Sequence, residues 1–365
     1  MKAGRSHKKE PERYTLKRPA TIEDVAQKAS VSIATVSRVL NNVPRGVKDT
    51  LRKRVMKAAK VLDYRPNALA RSLLHQRTHT LGLLVTNIAN SFFAEITRGV
   101  EDVCRKRGYS LFICNTDRNP TIVENYIGVL REKRVDGVLV MAGGAAGPQP
   151  FEALPGQGIP VVVIGRFDIP LPAIRIDNVK GGWMAASHLI QLGHRQIGIL
   201  LGPRKSTTSQ DVLRGYRQAF EEYGISVPKD WVLYGDGQAE SALPLADRLL
   251  QSTPRPTGLL TITDQVAIGA IRAALNLGLR VPQDISVVGY DGIQLASLMS
   301  PALTTLSIPL HHIGATAAEM LLRLGAGGLV DHTVWFVPEL TVRESTGSPP
   351  SSLGPPPESV GGNQG

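Results

Sequence analysis

TIEDVAQKASVSIATVSRVLNN, running from Thr21 to Asn42, is the stretch on which the reading of this chain turns. Ile22, Val25, Ala26 and Ala29 recur at i, i+3, i+4 and i+7, so they share one helical face. Thr21 stands at the N-cap position with Asp24 three residues on, a capping-box form. Lys28-Ala29-Ser30-Val31 leaves room only for a turn. Ser32 then caps a second helix whose inward face is Ile33, Val36, Val39 and Leu40. The outward face is Ala34, Thr35, Ser37, Arg38 and Asn41. Small side chains allow close approach, and Arg and Asn make bidentate contacts to base edges or hold phosphates, so this face suits a major groove. Two helices buried in a larger core would show the same periodicity, and spacing alone leaves both readings open.

The charge distribution separates them. The 365-residue chain has a formal net charge of +11. Residues 1–77 carry 19 Lys and Arg against 6 Asp and Glu, a net +13, while the remainder holds 23 against 25. The basicity belongs to one end, the footprint expected of a segment that meets a polyanion. Cys104 and Cys114 lack metal-ligand spacing and are read as buried free thiols in a reducing compartment. No apolar run approaches membrane-spanning length, and the basic N-terminus is not followed by an apolar segment. A cytoplasmic protein, with neither signal peptide nor membrane span, is expected.

The pattern D-V-A-x-x-A-x-V-S-x-x-T-V-S-R-V-L-N, Asp24 to Asn41, resembles the N-terminal signature of the lac repressor/Gal repressor family of bacterial transcription regulators. Further phrases continue the resemblance to about residue 346: Asn90-Ser91-Phe92-Phe93, Gly193-His194-Arg195, Gly289-Tyr290-Asp291, and Glu339 to Ser345. The resemblance implies a small all-α helix-turn-helix head and an α/β core of two periplasmic-binding-protein-like subdomains with parallel sheets. It also implies a dimer on a pseudo-palindromic operator, switched by a small-molecule effector, sugar-like by family habit, or by a protein corepressor. The leading expectation is therefore a DNA-binding repressor with no cofactor.

In order, Met1 to Arg18 reads as a disordered basic arm, and 19–65 as the DNA-binding head. Val55, Ala58, Ala59 and Leu62 give a third helix its inner face. Leu51 replaces a family Thr, so Arg52, with Lys53 or Arg54, is expected to hold phosphate instead. Residues 66–79 match the family hinge helix and linker, with Asn67 as its cap and Leu73 as the minor-groove wedge. A helix that short is marginal alone. By the resemblance, Ile33, Ala34, Thr35, Ser37 and Arg38 face bases. Ser32, Asn41 and Arg52 hold phosphates, and Thr21 completes the DNA-facing set.

From Leu81 onward, β-rich apolar runs alternate with amphipathic helices, the pattern of parallel sheets covered on both faces. Strands are expected at 81–85, 110–115, 136–141, 160–165, 196–201, 231–235, 257–262 and 285–290. Helices are expected at 93–107, 121–133, 183–192, 212–223, 241–251 and 265–277. The resemblance places the effector/dimerisation core at 80–346. Its N-subdomain is 80–177 with 309–337, and its C-subdomain 178–308 with 338–346. Crossings fall near Asp177, Ile308 and Pro338. The Pro/Ser/Gly-rich 347–365 is read as a disordered tail without the leucine heptads of a tetramer helix.

Ligands of open α/β sheets sit beyond the carboxyl ends of strands. The effector-binding candidates are Asn90, Phe92, Phe93, Asp117, Arg166, Ser206, Thr263, Asp264 and Asp291. For Phe92 and Phe93 a core role stands beside the cleft role, and Asp291 has the alternative of capping a turn. The chain departs from the family at three places: Val212 replaces a frequent effector-binding Arg, Gly165 a frequent Asp, and Gly237 a frequent stacking aromatic. No catalytic constellation is present. Gly143 to Gly147 lacks both G-x-G-x-x-G order and a P-loop Lys and reads as a surface turn. The alternative to a repressor is a solute-binding module without DNA activity, which the basic N-terminal segment argues against.

Overall fold

A computed structural model describes residues 18–40, 47–64, 77–141, 147, 149–167 and 169–351. Residues 1–17 of the expected arm, Asn67 and Leu73 of the expected hinge, Asn41, and most of the Gly143–Gly147 run lie outside the described residues. The chain divides into two compact units, Met1–Thr78 and His79–Gly365.

Among the described residues, the first unit is a three-helix head: α1 (Ile22–Ala29), α2 (Ile33–Leu40) and α3 (Asp49–Val61). The capping box closes at the start of α1. Thr21 Oγ1 accepts from the Asp24 N–H at 3.3 Å, and Asp24 Oδ2 accepts from the Thr21 N–H at 2.8 Å. Ser30 stops the helix in the left-handed region, at φ 50°. Val25, Val36 and Val55, one from each helix, are fully buried and meet at the centre, ringed by Ala26, Ala29, Val39, Ala58 and Ala59. Half of this core is alanine, so the helices pack closely around a small volume. Ile33, placed inward by its spacing, is 47% exposed and stands on the outer face of α2. As the first helical residue it lies before the point where the buried Val36/Val39 stripe begins.

The second unit holds two six-stranded sheets. In the N-lobe, β1 (Thr80–Val85), β2 (Ser110–Asn115), β3 (Gly137–Met141), β4 (Val161–Ile164), β5 (Ala173–Ile176) and β11 (Thr333–Phe336) run in the order β11-β5-β4-β3-β1-β2, all parallel. In the C-lobe, β6 (Ile197–Leu201), β7 (Val232–Tyr234), β8 (Gly258–Thr261), β9 (Ser286–Asp291), β10 (Thr304–Ser307) and β12 (Glu339–Thr341) run β12-β10-β9-β8-β6-β7. Only β12 is antiparallel to its neighbour. The central strands β3, β4, β6 and β8 are buried throughout, as both-face coverage requires. The chain passes between lobes after β5, after β10 and after β11, so three short segments join them.

Covering helices are α4 (Ser91–Arg107), α5 (Pro120–Glu132), the single turn α6 (Gln149–Glu152), α7 (Asn178–Gln191), α8 (Thr207–Glu222), α9 (Ala239–Leu250), α10 (Asp264–Asn276) and α11 (Leu310–Gly325). In both lobes, helix pairs meet glycine to backbone. A Cβ on Gly99 of α4 would lie 2.0 Å from the His311 carbonyl oxygen of α11, and one on Gly314 would lie 2.0 Å from the Ile96 carbonyl oxygen. Gly182 of α7 and Gly215 of α8 repeat the arrangement in the C-lobe.

Four strands and two helices fall outside the expectation from sequence: β5, β10, β11, β12, the single turn α6 and α11. β10 reads TTLS, whose Thr304 and Thr305 are fully buried by hydrogen bonding rather than by apolarity. α7 begins five residues earlier than its apolar pattern, because Asp177 caps it through the Lys180 N–H and Gly181-Gly182 interrupt the stripe. Gly347, assigned to the tail, is tied to the C-lobe. Its carbonyl accepts from His194 Nε2 at 2.9 Å and its N–H donates to Ser286 Oγ at 3.1 Å.

Candidate functional site

The outward surface of α2 is the first candidate. Ile33, Ala34 and Arg38 are exposed, and Thr35 and Ser37 are half-buried beside them. Ser32 acts as the N-cap of α2, with its Oγ accepting from the Thr35 N–H at 3.2 Å and lying 2.9 Å from Thr35 Oγ1. The two hydroxyls therefore already engage one another across the first turn. Thr21 Oγ1 is likewise occupied by the Asp24 capping box. Arg52 is half-buried on α3. Arg54, offered by the sequence as a phosphate ligand, serves inside the head instead. Its Nη2 donates to the Ala29 carbonyl at 2.5 Å and to the Ser30 carbonyl at 3.3 Å. These are carbonyls at the end of α1, where a cation is electrostatically favoured. Arg54 fastens α3 to α1.

The second candidate is a cavity of about 140 Å³ between the lobes. Of the sequence candidates, Asn90, Phe92, Phe93, Arg166, Ser206, Thr263 and Asp291 line it; Asp117 and Asp264 do not. Asn90 caps α4, its Oδ1 accepting from the Phe92 N–H at 2.9 Å. Phe92 and Phe93 meet edge to face with ring centres 5.1 Å apart. They pack against the core and also border the cavity. Asp117 sits at φ 47° in the turn after β2, where its Oδ1 accepts from Asn115 Nδ2 at 2.6 Å. That turn use draws it away from the cavity.

Asp264 lies behind the wall and is fully buried. Its Oδ1 accepts from Thr305 Oγ1 at 2.5 Å and its Oδ2 from the Ile293 N–H at 2.8 Å. Burial pushes its carboxyl up to about 6, although the Thr305 hydroxyl and the backbone donors oppose this. Those bonds hold the loop that follows Asp291. Asp291 itself is buried at φ +119°, a backbone region that costs an L-residue strain. Burial and the nearby Asp264 charge push it well above the usual carboxylate range. Burial and Asp264 thus disfavour the ionised form of Asp291 where it borders the cavity.

Several lining residues escaped the sequence reading. Arg118 follows Asp117, and its Nη1 donates across the lobes to the Asp236 carbonyl at 2.9 Å. Asp236, although burial opposes it, is held below the usual range by Ser241 and the Gln238 N–H, with Arg118 adding to the effect. Arg166 of the N-lobe pairs with Asp211 of α8 at 3.1 Å, and its carbonyl accepts from Thr207 Oγ1 at 3.3 Å. Arg175 and Trp335 come from β5 and β11, strands not recognised in the sequence. The Arg175 guanidinium lies 5.9 Å from the Trp335 ring centre. Val212 points into the C-lobe core, fully buried, and a Cβ on Gly237 would meet open space. Among the described residues no group of three or more His, Cys, Asp or Glu could hold a metal ion. No described helix is long and apolar enough to cross a membrane.

A three-helix head with an exposed polar helix face, followed by a two-lobed core around a cleft, defines a ligand-responsive DNA-binding regulator. A family described as "Bacterial regulatory proteins, lacI family" matches residues 21–67, and one described as "Periplasmic binding proteins and sugar binding domain of LacI family" matches residues 78–328. The chain belongs to the LacI family. It is 41% identical over 305 residues to the HTH-type transcriptional repressor PurR of Aliivibrio salmonicida, covering 83% of this chain and 91% of that one. It is 42% identical over 306 residues to PurR of Escherichia fergusonii, covering 83% and 89%. Among solved structures it is similar to the lac repressor dimer bound to operator and the anti-inducer ONPF, at 28% identity and a TM-score of 0.82, covering 91% of this chain and all of that one. The transcriptional regulator CelR in complex with cellobiose matches at 31% identity and a TM-score of 0.68, covering 89% and 99%.

Proposed function

We propose that this protein is a cytoplasmic, dimeric repressor that binds a pseudo-palindromic operator and is switched by a small molecule held between the two lobes. It does no covalent chemistry. One observation carries the reading. A single chain joins a head whose second helix turns Ala34, Thr35, Ser37 and Arg38 outward to a core whose interlobe cavity is lined by polar side chains from both lobes.

In this reading Ile33, Ala34, Thr35, Ser37 and Arg38 meet base edges, with Ser32, Asn41 and Arg52 at phosphates. The capping of α1 by Thr21 supports that surface. Asn67 caps the hinge helix, and Leu73 opens a base step in the minor groove. The effector contacts are Asn90, Phe92, Phe93, Arg166, Ser206, Thr263 and Asp291, with Asp264 setting the Asp291 loop. Three chain crossings serve as the hinge between lobes. The Arg166–Asp211 and Arg118–Asp236 bonds exist only while the lobes stand close. A ligand that favours this closure over an open form shifts operator occupancy by its difference in affinity for the two forms, typically ~1–3 kcal/mol.

The test is in-vitro selection of duplexes bound by the purified full chain, repeated with a small-molecule library. The expected result is a two-fold symmetric motif whose recovery changes with at least one compound. It should be lost with residues 1–77 removed. Equal retention of all duplexes, with or without compounds, would overturn the reading and favour a solute-binding module.

A further inference from the structure

The cavity of about 140 Å³ is the size of one ring. An apolar protein cavity of ~150 Å³ accommodates a benzene molecule. Its walls combine aromatic faces, Phe92, Phe93 and Trp335, with hydrogen-bonding groups from the C-lobe, Thr263, Gln238 and Asp291. Flat apolar faces beside convergent polar groups suit a ring that carries hydroxyls.

The cations divide unevenly. Three arginines border the cavity, all from the N-lobe: Arg118, Arg166 and Arg175. Arg166 faces Asp211, and Arg118 lies against Asp236. Arg175 has no carboxylate partner among the described residues. Its Nη2 donates to the Phe167 carbonyl at 3.3 Å, it flanks the Trp335 ring, and its Nε is buried without a hydrogen-bond partner. Buried polar groups are nearly always paired, and the planar guanidinium fork matches a carboxylate or phosphate in two parallel bonds. Val212 is fully buried in the C-lobe core, and the cavity's cations all come from the N-lobe wall, so among the described residues the C-lobe wall brings no arginine to the cavity.

We propose that the ligand of this cleft is a single-ring polyol bearing one anionic substituent, a sugar acid or a sugar phosphate, with its anion on Arg175 and its hydroxyls toward Thr263, Gln238 and Asp291. This rests on the effector reading above. Arg175 and Trp335 sit at paired positions of adjacent strands, in register, so cation and stacking face are set by the sheet.

The test uses the purified full chain and calorimetric titration with D-glucuronate, D-galacturonate and glucose 6-phosphate. Their neutral counterparts D-glucose and D-galactose, and hypoxanthine, serve as comparisons. At least one anionic probe should bind tenfold or more tightly than its neutral counterpart. The uronates and the phosphate ester separate the two anion sources. Arg175→Gln should erase that preference, and Arg175→Lys, which keeps charge without the fork, should retain part of it. Equal binding of neutral and anionic sugars overturns the proposal, as does a preference that survives Arg175→Gln. Absence of binding by all three anionic probes overturns it as well. Hypoxanthine binding in their place overturns it while leaving the small-molecule-regulated repressor intact. Failure of that broader reading would show instead as the absence of a selected operator.

Discussion

Arg38→Ala separates recognition from folding. Arg38 is exposed on the outer face of α2, away from the buried Val36/Val39 stripe. Surface substitutions of that kind change stability by less than ~0.5 kcal/mol. An arginine on a base edge or phosphate is worth ~1–3 kcal/mol. A dimer on a two-fold operator makes that contact twice, so the loss is ~2–6 kcal/mol. At ~1.4 kcal/mol per decade this is roughly 30-fold to 10⁴-fold in affinity. Arg54→Met is the counterpart. It removes the donor to the Ala29 and Ser30 carbonyls, so the head should lose about 1 kcal/mol of stability. The assay is fluorescence anisotropy on the selected operator across a salt series, paired with thermal unfolding. If Arg38 holds phosphate, the salt slope falls by about one per contact; if it reads a base, discrimination at one position relaxes. Affinity of Arg38→Ala within twofold of the parent would refute the orientation assigned to α2, and a melting loss matching that of Arg54→Met would refute its freedom from the head core.

Three further outcomes are expected. Gly314→Val places a side chain against the Ile96 carbonyl and should cost about 3 kcal/mol in denaturant unfolding of the core. Gly128→Ala, on an exposed stretch of α5 with nothing nearby, should be neutral or stabilising by up to ~1 kcal/mol; equal costs at the two sites would refute the close helix approach. His194 is fully buried between Thr257, Ser286 and Gly347, and burial pushes its pKa below the usual value, as it does for His188. A lowered histidine means that the unfolded chain takes up the proton first, so their stabilisation is complete above pH ~6.5 and shrinks as pH falls. Asp264 and Asp291, both raised, act with the opposite sign, so the readout is the His194 ring itself; an NMR titration midpoint at or above 6.5 would contradict the assignment. Burial pushes the Cys104 and Cys114 thiols up to about 11, so neither should react with iodoacetamide at pH 8 until denaturant is added.

What could be read without coordinates follows from interactions between near neighbours. The Thr21–Asp24 capping box, the Val25/Ala26/Ala29 stripe and the buried runs of β3, β4, β6 and β8 are all set by spacing within a few residues, and each shows as a period or a motif. Membership in the LacI family was legible in the same way, since Asp24 to Asn41 is one unbroken pattern. The basic end was visible from composition alone.

The rest was settled by contacts between residues far apart in the chain, which leave no local period. Arg54 looked like a phosphate ligand until α1 and α3 came together and gave it two carbonyls 24 and 25 residues away. β10 and β11 were hidden because their burial depends on partners elsewhere: Thr305 is satisfied by Asp264, and β11 pairs with β5 across more than 150 residues. Arg175 and Trp335 became one wall of the cleft only through that pairing. Asp117 and Asp264 do follow strand ends, but tertiary hydrogen bonds assign one to a turn and the other to the support of Asp291. Short-range chemistry therefore fixed the head helices, the buried central strands and the family, while the edge strands and the cleft's arginines were placed by side chains that meet only after both sheets have formed.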